Sequence, residues 1–339
     1  IFSLLACQYG AGTVHAVEPN DAMRVAQALA NANGYAERIA FHQSLSTDVV
    51  LPQPADVIIS DLRSVLPLFE QHIPTIIDAR ERLLRPGGIL IPQRDVLYAA
   101  LVEESDISRR YTEPWLDNSY GLDLRAGYSY VANAWRRVSV KAENLLTDPL
   151  PWATLDYATI AEANVQAEFS LSPHRPGVTH GLLLWFDAEL APGIGFSNAP
   201  GAPELIYGQA FFPLQQPVML QPQDHMTVRL RANLVNDDYV WRWDTTVYDA
   251  TTNSHRATLL QSTALSVPVA LEQLHRHEIG YVPRVTEAAE IDRFILAQID
   301  GDTALGVMAD RLMARFPGEF AQLQAALTRV AMVAERYHH

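Results

Sequence analysis

Up to about Pro92 the chain alternates between two hydrophobic periods. Apolar residues recur at helical spacing over residues 1–10 and again at Met23, Ala26, Leu29 and Ala30, where Asn20 is placed to cap a helix and Asn33-Gly34 to stop it. Between and after these lie short apolar runs, residues 13–17 ending in Glu18 and residues 57–59 ending in Ser60-Asp61, which read as buried strands. A third helix carries Ile73, Ile76, Ile77, Leu83 and Leu84 on one side, with Arg85 in its last turn, and Pro86-Gly87-Gly88 leads into another apolar strand. Strands alternating with helices predict a parallel sheet covered on both faces.

After Pro92 the period becomes two. Val228, Leu230, Ala232 and Leu234 alternate with Thr227, Arg229, Arg231 and Asn233, and Asn236-Asp237-Asp238 turns the chain towards Trp241 and Trp243. Many of the 21 prolines fall in this middle region and mark strand ends and turns. An antiparallel barrel or sandwich is expected here. From Thr286, a capping residue, the pattern is helical again, on Ile291, Phe294, Ile295 and Ile299 up to Asp300-Gly301, then on Leu305, Met308 and Leu312, and last on Leu323, Leu327 and Val330.

Composition refines this only at the margins. The 339 residues allow two or three domains, and 48% hydrophobic with 19% charged is ordinary for a globular chain. No apolar run approaches the ~18 residues of a membrane span, so no membrane partner is expected. No signal peptide is read, and Cys7, the one cysteine, excludes an intrachain disulfide, so a cytoplasmic location is expected. The 39 acidic against 25 basic side chains argue against nucleic acid as a main partner. The surplus suits attraction of a cationic ligand, although solubilising surface charge explains it equally. His338-His339 reads as the remnant of a purification tag.

The candidate chemistry lies at strand ends. Ligands of parallel α/β sheets bind at the carboxyl ends of the strands, where Asp61 is expected, with Glu70 nine positions on, near the start of the next helix. Two carboxylates at one crevice suit a planar, donor-rich cation such as guanidinium. The plainer reading is a capping aspartate and a solvated helix residue. Glu18, ending the preceding strand, could accept hydrogen bonds from ribose hydroxyls or simply end a strand. His275, His277 and Glu278 have metal-like composition without a second cluster, and no metal site is expected. Trp241 and Trp243 read as packing, and Cys7 as a small core residue.

The ordered run of motifs resembles the protein arginine methyltransferases over most of residues 1–283. The opening segment resembles the stretch immediately after that family's glycine-rich S-adenosylmethionine motif; the glycine-rich loop itself is missing from this amino terminus. The family's two glutamates, nine apart, fall on Asp61 and Glu70. Residues 79–104 resemble its crossing into the barrel, and Tyr120-Gly121-Leu122-Asp123 sits at its dimerisation arm. Gly177-Val178-Thr179-His180-Gly181 and Gly195-Phe196-Ser197-Asn198-Ala199-Pro200 also match in order. The resemblance implies a Rossmann-like S-adenosylmethionine-dependent methyltransferase domain over residues 1–92, an antiparallel β-barrel domain over 93–283 with an arm near 108–135, and a C-terminal helical module over 284–337. The last loosely resembles winged-helix-like modules of the PqqD kind, against the simpler reading of an accessory bundle.

The resemblance further implies Asp61 and Glu70 as catalytic residues and, together with Ile206 and Tyr207, as the residues that bind the guanidino substrate. It implies Glu18, Pro19, Leu45, Ser46, Thr47 and His72 around S-adenosylmethionine, with S-adenosylhomocysteine as product. The implied partners are an arginine-containing protein or peptide substrate and a second copy of the chain in a homodimer. Three departures stand out: Asp61 is one methylene shorter than glutamate, Arg63 enters between the carboxylates, and the family's Thr-His-Trp loop falls on Leu205, Ile206 and Tyr207, losing the histidine. These motivate two alternatives, a methyltransferase for a small amine, guanidino metabolite or precursor peptide, and a non-catalytic dimeric scaffold.

Overall fold

The computed structural model describes residues 1–117, 121–249, 254–268, 275–276 and 278–337. Tyr120, His277, His338 and His339 lie outside the described residues. The chain divides into two compact units, residues 1–268 and 269–339.

The first unit begins with α1 (Phe2–Gln8), β1 (Val14–Val17), α2 (Ala22–Ala32), β2 (Ile39–His42), β3 (Ala55–Ile59), α3 (His72–Asp78) and β4 (Leu84–Ile91). β1 pairs parallel with β2, from Val14 opposite Ile39 to Val17 opposite His42, and β3 pairs parallel with β4. Cys7, Ala30 and Ile39 form a small core with Leu4, Val14 and Phe41, so Cys7 serves as a packing residue. α3 instead buries Ile73 and Ile76 in the main core of the molecule, together with Val65, Leu66 and Leu68 from the segment before it. That packing ties the Asp61–Glu70 connection to the β-sheets. The expectation of strands buried on both faces is corrected here: Val57 is 44% and Ile59 42% exposed. Among the described residues β3 hydrogen-bonds to β4 alone, and apolar periodicity reports strand character without counting neighbours.

β5 (Arg94–Val102), β6 (Arg136–Val138), β7 (Leu150–Asp156), β9 (Gly177–Ala191), β10 (Ile194–Ser197) and β11 (Gln209–Leu220) form one antiparallel sheet in the order β6-β11-β9-β5-β7, with β10 against β9. β8 (Val165–Leu171), β12 (His225–Val235), β13 (Asp238–Asp249) and β14 (Ser254–Ser262) form a second, in the order β14-β13-β12-β8. Both bury their inner faces in one cluster containing Leu101, Phe186, Phe212, Trp241 and Trp243. Of the alternation read from sequence, Val228, Leu230 and Ala232 are fully buried and Leu234 is half-buried against the same cluster, with Met226 extending the buried row. Among the described residues the expected barrel takes the form of two antiparallel sheets, not one closed ladder. Near Pro213, which has no N–H, side chains bridge the gap. Gln261 of β14 donates to Pro213 O and to Ala132 O and accepts from Gln215 N, and Trp243 Nε1 donates to Pro213 O at 3.0 Å.

Between β5 and β6 run α4 (Ser105–Leu116) and α5 (Arg125–Ala132), within the stretch assigned to the arm. Gly127 lets them approach, since a Cβ there would lie 2.2 Å from the Trp115 ring. Leu116, Leu122 and Tyr130 remain exposed. In the second unit, helices Glu287–Leu296, Leu305–Arg315 and Leu323–Tyr337 close over Ile291, Ile295, Met308, Leu312, Ala326 and Val330. Thr286 caps the first through Oγ1, which accepts from Ala289 N. Leu305 and Leu323, expected on the core side, are exposed at helix starts.

Candidate active site

Ser60 N–H still donates to Ile91 O, so Asp61 is the first residue beyond the β3–β4 ladder, at the carboxyl end of a parallel strand. Glu70 directly precedes the turn into α3 and adopts φ 40°, left-handed backbone that a non-glycine residue occupies at a cost of about 1 kcal/mol. Its side chain is exposed. Between them, Val65, Leu66 and Leu68 insert into the core and fix both ends of the connection.

Arg63 turns inward, its side chain only 3% exposed. Its Nε donates to Asp61 Oδ1 at 3.2 Å and its Nη1 to Asp95 Oδ1 at 3.1 Å, Asp95 being fully buried on β5. Three rings surround the guanidinium, with Cζ 5.6 Å from the centroid of Phe186, 5.1 Å from Phe196 and 6.0 Å from Tyr207. The Tyr207 hydroxyl lies 2.9 and 3.0 Å from the two Asp61 oxygens and donates between them. Tyr157 donates to Asp95 Oδ2 at 2.6 Å, and His72 Nε2 stands 3.1 Å from the Tyr157 hydroxyl.

The electrostatics follow from enclosure. Burial alone would lower the Arg63 pKa, but Asp95 and then Asp61 outweigh it, so the guanidinium is held more firmly charged than a free arginine. Burial pushes the Asp95 carboxyl up to about 6 against the pull of Arg63, leaving it ionised at neutral pH. Burial, and next the Arg63 charge, lower His72 to about 3, so its ring is neutral. Burial and the Asp61 hydrogen bond raise Tyr207 to about 12.

The remaining sequence candidates fall at other points of the same unit. Glu18 follows β1 at its carboxyl end; Oε1 accepts from Asn20 N, while Asn20 Oδ1 accepts from Ala22 N, one residue ahead of Asp21, which holds the N-cap position of α2 in place of the expected Asn20. Pro19 is exposed beside it. Leu45 precedes a 3₁₀ turn at Ser46–Asp48, tied to the π-helical segment Ala79–Leu83 that continues α3, because Arg82 donates to Ser46 O at 2.7 Å and to Val49 O, while also gripping Asp78. His72 is 2% exposed, within the Arg63 network, and its Nδ1 has no hydrogen-bond partner among the described residues. These residues fit an adenosine-bearing cofactor in their donor set: a half-exposed carboxylate for ribose hydroxyls and an anchored loop bearing a hydroxyl pair. Ile206 is exposed, whereas Tyr207 belongs to the cage.

Sequence reading named Arg63 and Tyr207 but missed Asp95, Tyr157 and Phe186, which come from β5, the loop after β7, and β9. Each reads locally as ordinary β-domain composition. Asn198, within the Gly195-to-Pro200 motif, proves to be the knot: buried, it accepts from Phe186 N and donates to Val65 O and Gly208 O, and its own carbonyl accepts from Gln209. A cleft of about 420 Å³ lies on that side, lined by Arg137, Val140, Glu204 and Gly208 among others. His275 pairs with Glu278, and no metal-ligand cluster occurs among the described residues. No helix among them is long and apolar enough to cross a membrane.

A strand-end carboxylate on an α/β half, tied to an antiparallel β-domain, defines a two-part architecture. Comparison with known proteins places it in a family. The model of the arginine methyltransferase oligomerization subdomain matches residues 93–266, more than half of the chain, and the chain belongs to the arginine methyltransferase family. It is similar to protein arginine N-methyltransferase 1 of Dictyostelium discoideum, 27% identical over 234 residues covering 67% of this chain and 68% of that protein. It is also similar to probable protein arginine N-methyltransferase 6 of Arabidopsis thaliana, 30% identical over 198 residues, 56% and 45% of the two chains. The chain thus spans between about half and two thirds of these relatives. Its fold is similar to that of the Trypanosoma brucei PRMT1 enzyme–prozyme heterotetrameric complex with AdoHcy, with a TM-score of 0.70 and 21% identity over 77% of this chain and 84% of that one. Arabidopsis thaliana protein arginine methyltransferase 10 gives 0.67 and 20%, over 76% and 84%.

Proposed function

We propose that the protein is an S-adenosylmethionine-dependent methyltransferase acting on a guanidino nitrogen of arginine in a protein or peptide. The observation that carries this reading is Glu70, an exposed carboxylate held in strained backbone nine positions after the strand-end Asp61 in a chain of this family. When bound, S-adenosylmethionine would supply an electrophilic methyl carbon on a sulfonium: the C–S bond would break as the N–C bond forms, S-adenosylhomocysteine would leave, and the methylated nitrogen would give up one proton to solvent. Guanidinium is a poor nucleophile because its lone pairs are delocalised. Glu70 anchors it by charge-assisted hydrogen bonds, draws positive charge towards the bound nitrogens and fixes the approach of a free one. Glu18 holds the ribose hydroxyls, with Pro19 beside it, and Leu45, Ser46 and Thr47 border the base. His72, which the resemblance assigns to the cofactor site, is buried and neutral and meets the Tyr157 hydroxyl.

The boundary at 92/93 has in its support the start of the matched subdomain at residue 93. We read the two β-sheets as the family's barrel, the exposed apolar residues of the α4–α5 arm as the surface for a second copy, and the cytoplasm as the location. A second reading, a small amine or guanidino acceptor, is favoured by the Arg63–Asp61 pair, which already neutralises one carboxylate.

Calorimetry of S-adenosylmethionine with the full-length protein is expected to show binding, weakened about tenfold or more in Glu18→Ala. No binding would remove the enzymatic reading in both forms. Radiolabel transfer to Gly-Arg-rich peptides, against free methylguanidine and small amines, separates the two acceptors.

A further inference from the structure

Arg63 is a guanidinium already seated in a receptor. Two carboxylates from different elements grip it, Asp61 after β3 and Asp95 on β5. Phe196 and Tyr207 stack parallel at 5.5 Å, Phe186 meets both edge-on, and the Arg63 Cζ lies within 6.0 Å of each ring. The groups that touch the guanidinium are themselves held, since Tyr157 fixes Asp95, Tyr207 fixes Asp61, and Asn198 joins the segments that carry the rings. A surface ion pair needs none of this; recognition of a planar cation by carboxylates and π-faces needs all of it.

We infer that Asp61, Asp95, Phe186, Phe196 and Tyr207 form a guanidinium-binding cage that Arg63 fills from within the chain, thereby withholding Asp61 from an arriving guanidino acceptor. The cage is distinct from the exposed Glu70 carboxylate. An acceptor is therefore met by one free carboxylate rather than two, and the side chain at position 63 sets which acceptors the site takes. This consequence rests on the methyl-transfer reading; the cage itself does not.

The test empties the cage in the full chain and refills it with a free ligand. Arg63→Ala is expected to melt below the parent and to regain a midpoint shift of roughly 3–6 °C at methylguanidinium concentrations near ten times its dissociation constant. The parent protein is expected to show no shift under the same conditions, and methylammonium at equal concentration no shift in the variant. A variant that responds no more than the parent, or equally to methylammonium, overturns the inference. If Arg63→Ala does not fold alone, the yield on refolding decides: a rise with methylguanidinium and not with methylammonium supports the cage, and equal yields overturn it. Arg63→Lys keeps the charge without the planar fork, and full parental stability there also overturns guanidinium recognition. These readouts need no cofactor, so failure of S-adenosylmethionine binding leaves them standing, and failure of the cage leaves methyl transfer standing.

Discussion

Glu70 and His72, two positions apart, show opposite uses of one turn. Glu70 spends backbone strain to present an exposed carboxylate. Glu70→Gly is therefore expected to keep or raise stability by up to about 1 kcal/mol in urea unfolding, while methyl transfer falls by about 100-fold or more. A parallel loss of stability and transfer would refute a functional origin for the strain. His72 is buried neutral with its pKa lowered to about 3, below the 6.5 of an unfolded histidine. Between these values the unfolded state alone takes up the proton, so the stability His72 contributes is present above pH 6.5 and lost as pH falls towards 3. The stability difference between the parent and His72→Gln is expected to shrink by about 1.4 kcal/mol per pH unit across that window. Asp95, pushed up to about 6, has the opposite sign. It takes up a proton in the folded state first, adding stability as pH falls from 6 towards 4. A flat parent profile there reflects cancellation, and only the variant difference isolates His72.

Elements meet at Asn198, which links β9, the segment before α3 and the loop preceding β11. Asn198→Ala leaves Phe186 N, Val65 O and Gly208 O without it, and a loss of about 2–4 kcal/mol is expected by denaturant midpoint, with Tyr207 displaced from Asp61. Gly208 reinforces the same loop, with φ +63° and Val138 O 2.8 Å from where a Cβ would stand. Much at this scale was legible in sequence. The alternation of Val228, Leu230 and Ala232, the Thr286 cap and the strand-end place of Asp61 all follow from period and capping chemistry. The cage was not, because Asp95 lies about a hundred residues before the neighbouring Phe186 and Phe196 and meets them only through sheet register. The exposure of Val57 and Ile59 also escaped, since an apolar run does not say how many strands or helices will cover it.

For the whole molecule, the matched oligomerization subdomain and the apolar residues left uncovered on the arm point the same way. Replacing Leu116 and Leu122 together by Asp is expected to convert a sedimenting dimer into a monomer without changing the circular dichroism of the fold. An unchanged sedimentation coefficient would move the interface elsewhere. The same pair of substitutions is expected to reduce transfer to peptides if pairing of two copies shapes the acceptor site.

Enclosure also sorts the chain's arginines by chemical reactivity. Arg94 and Arg125 are more than half exposed, whereas the Arg63 guanidinium is sealed behind rings and carboxylates. An arginine-selective dicarbonyl reagent is expected to label the former quickly and to spare Arg63 until the fold opens, as read by peptide mass spectrometry. The protein that we read as methylating arginine thus keeps one arginine beside its own reaction centre where self-modification cannot reach it.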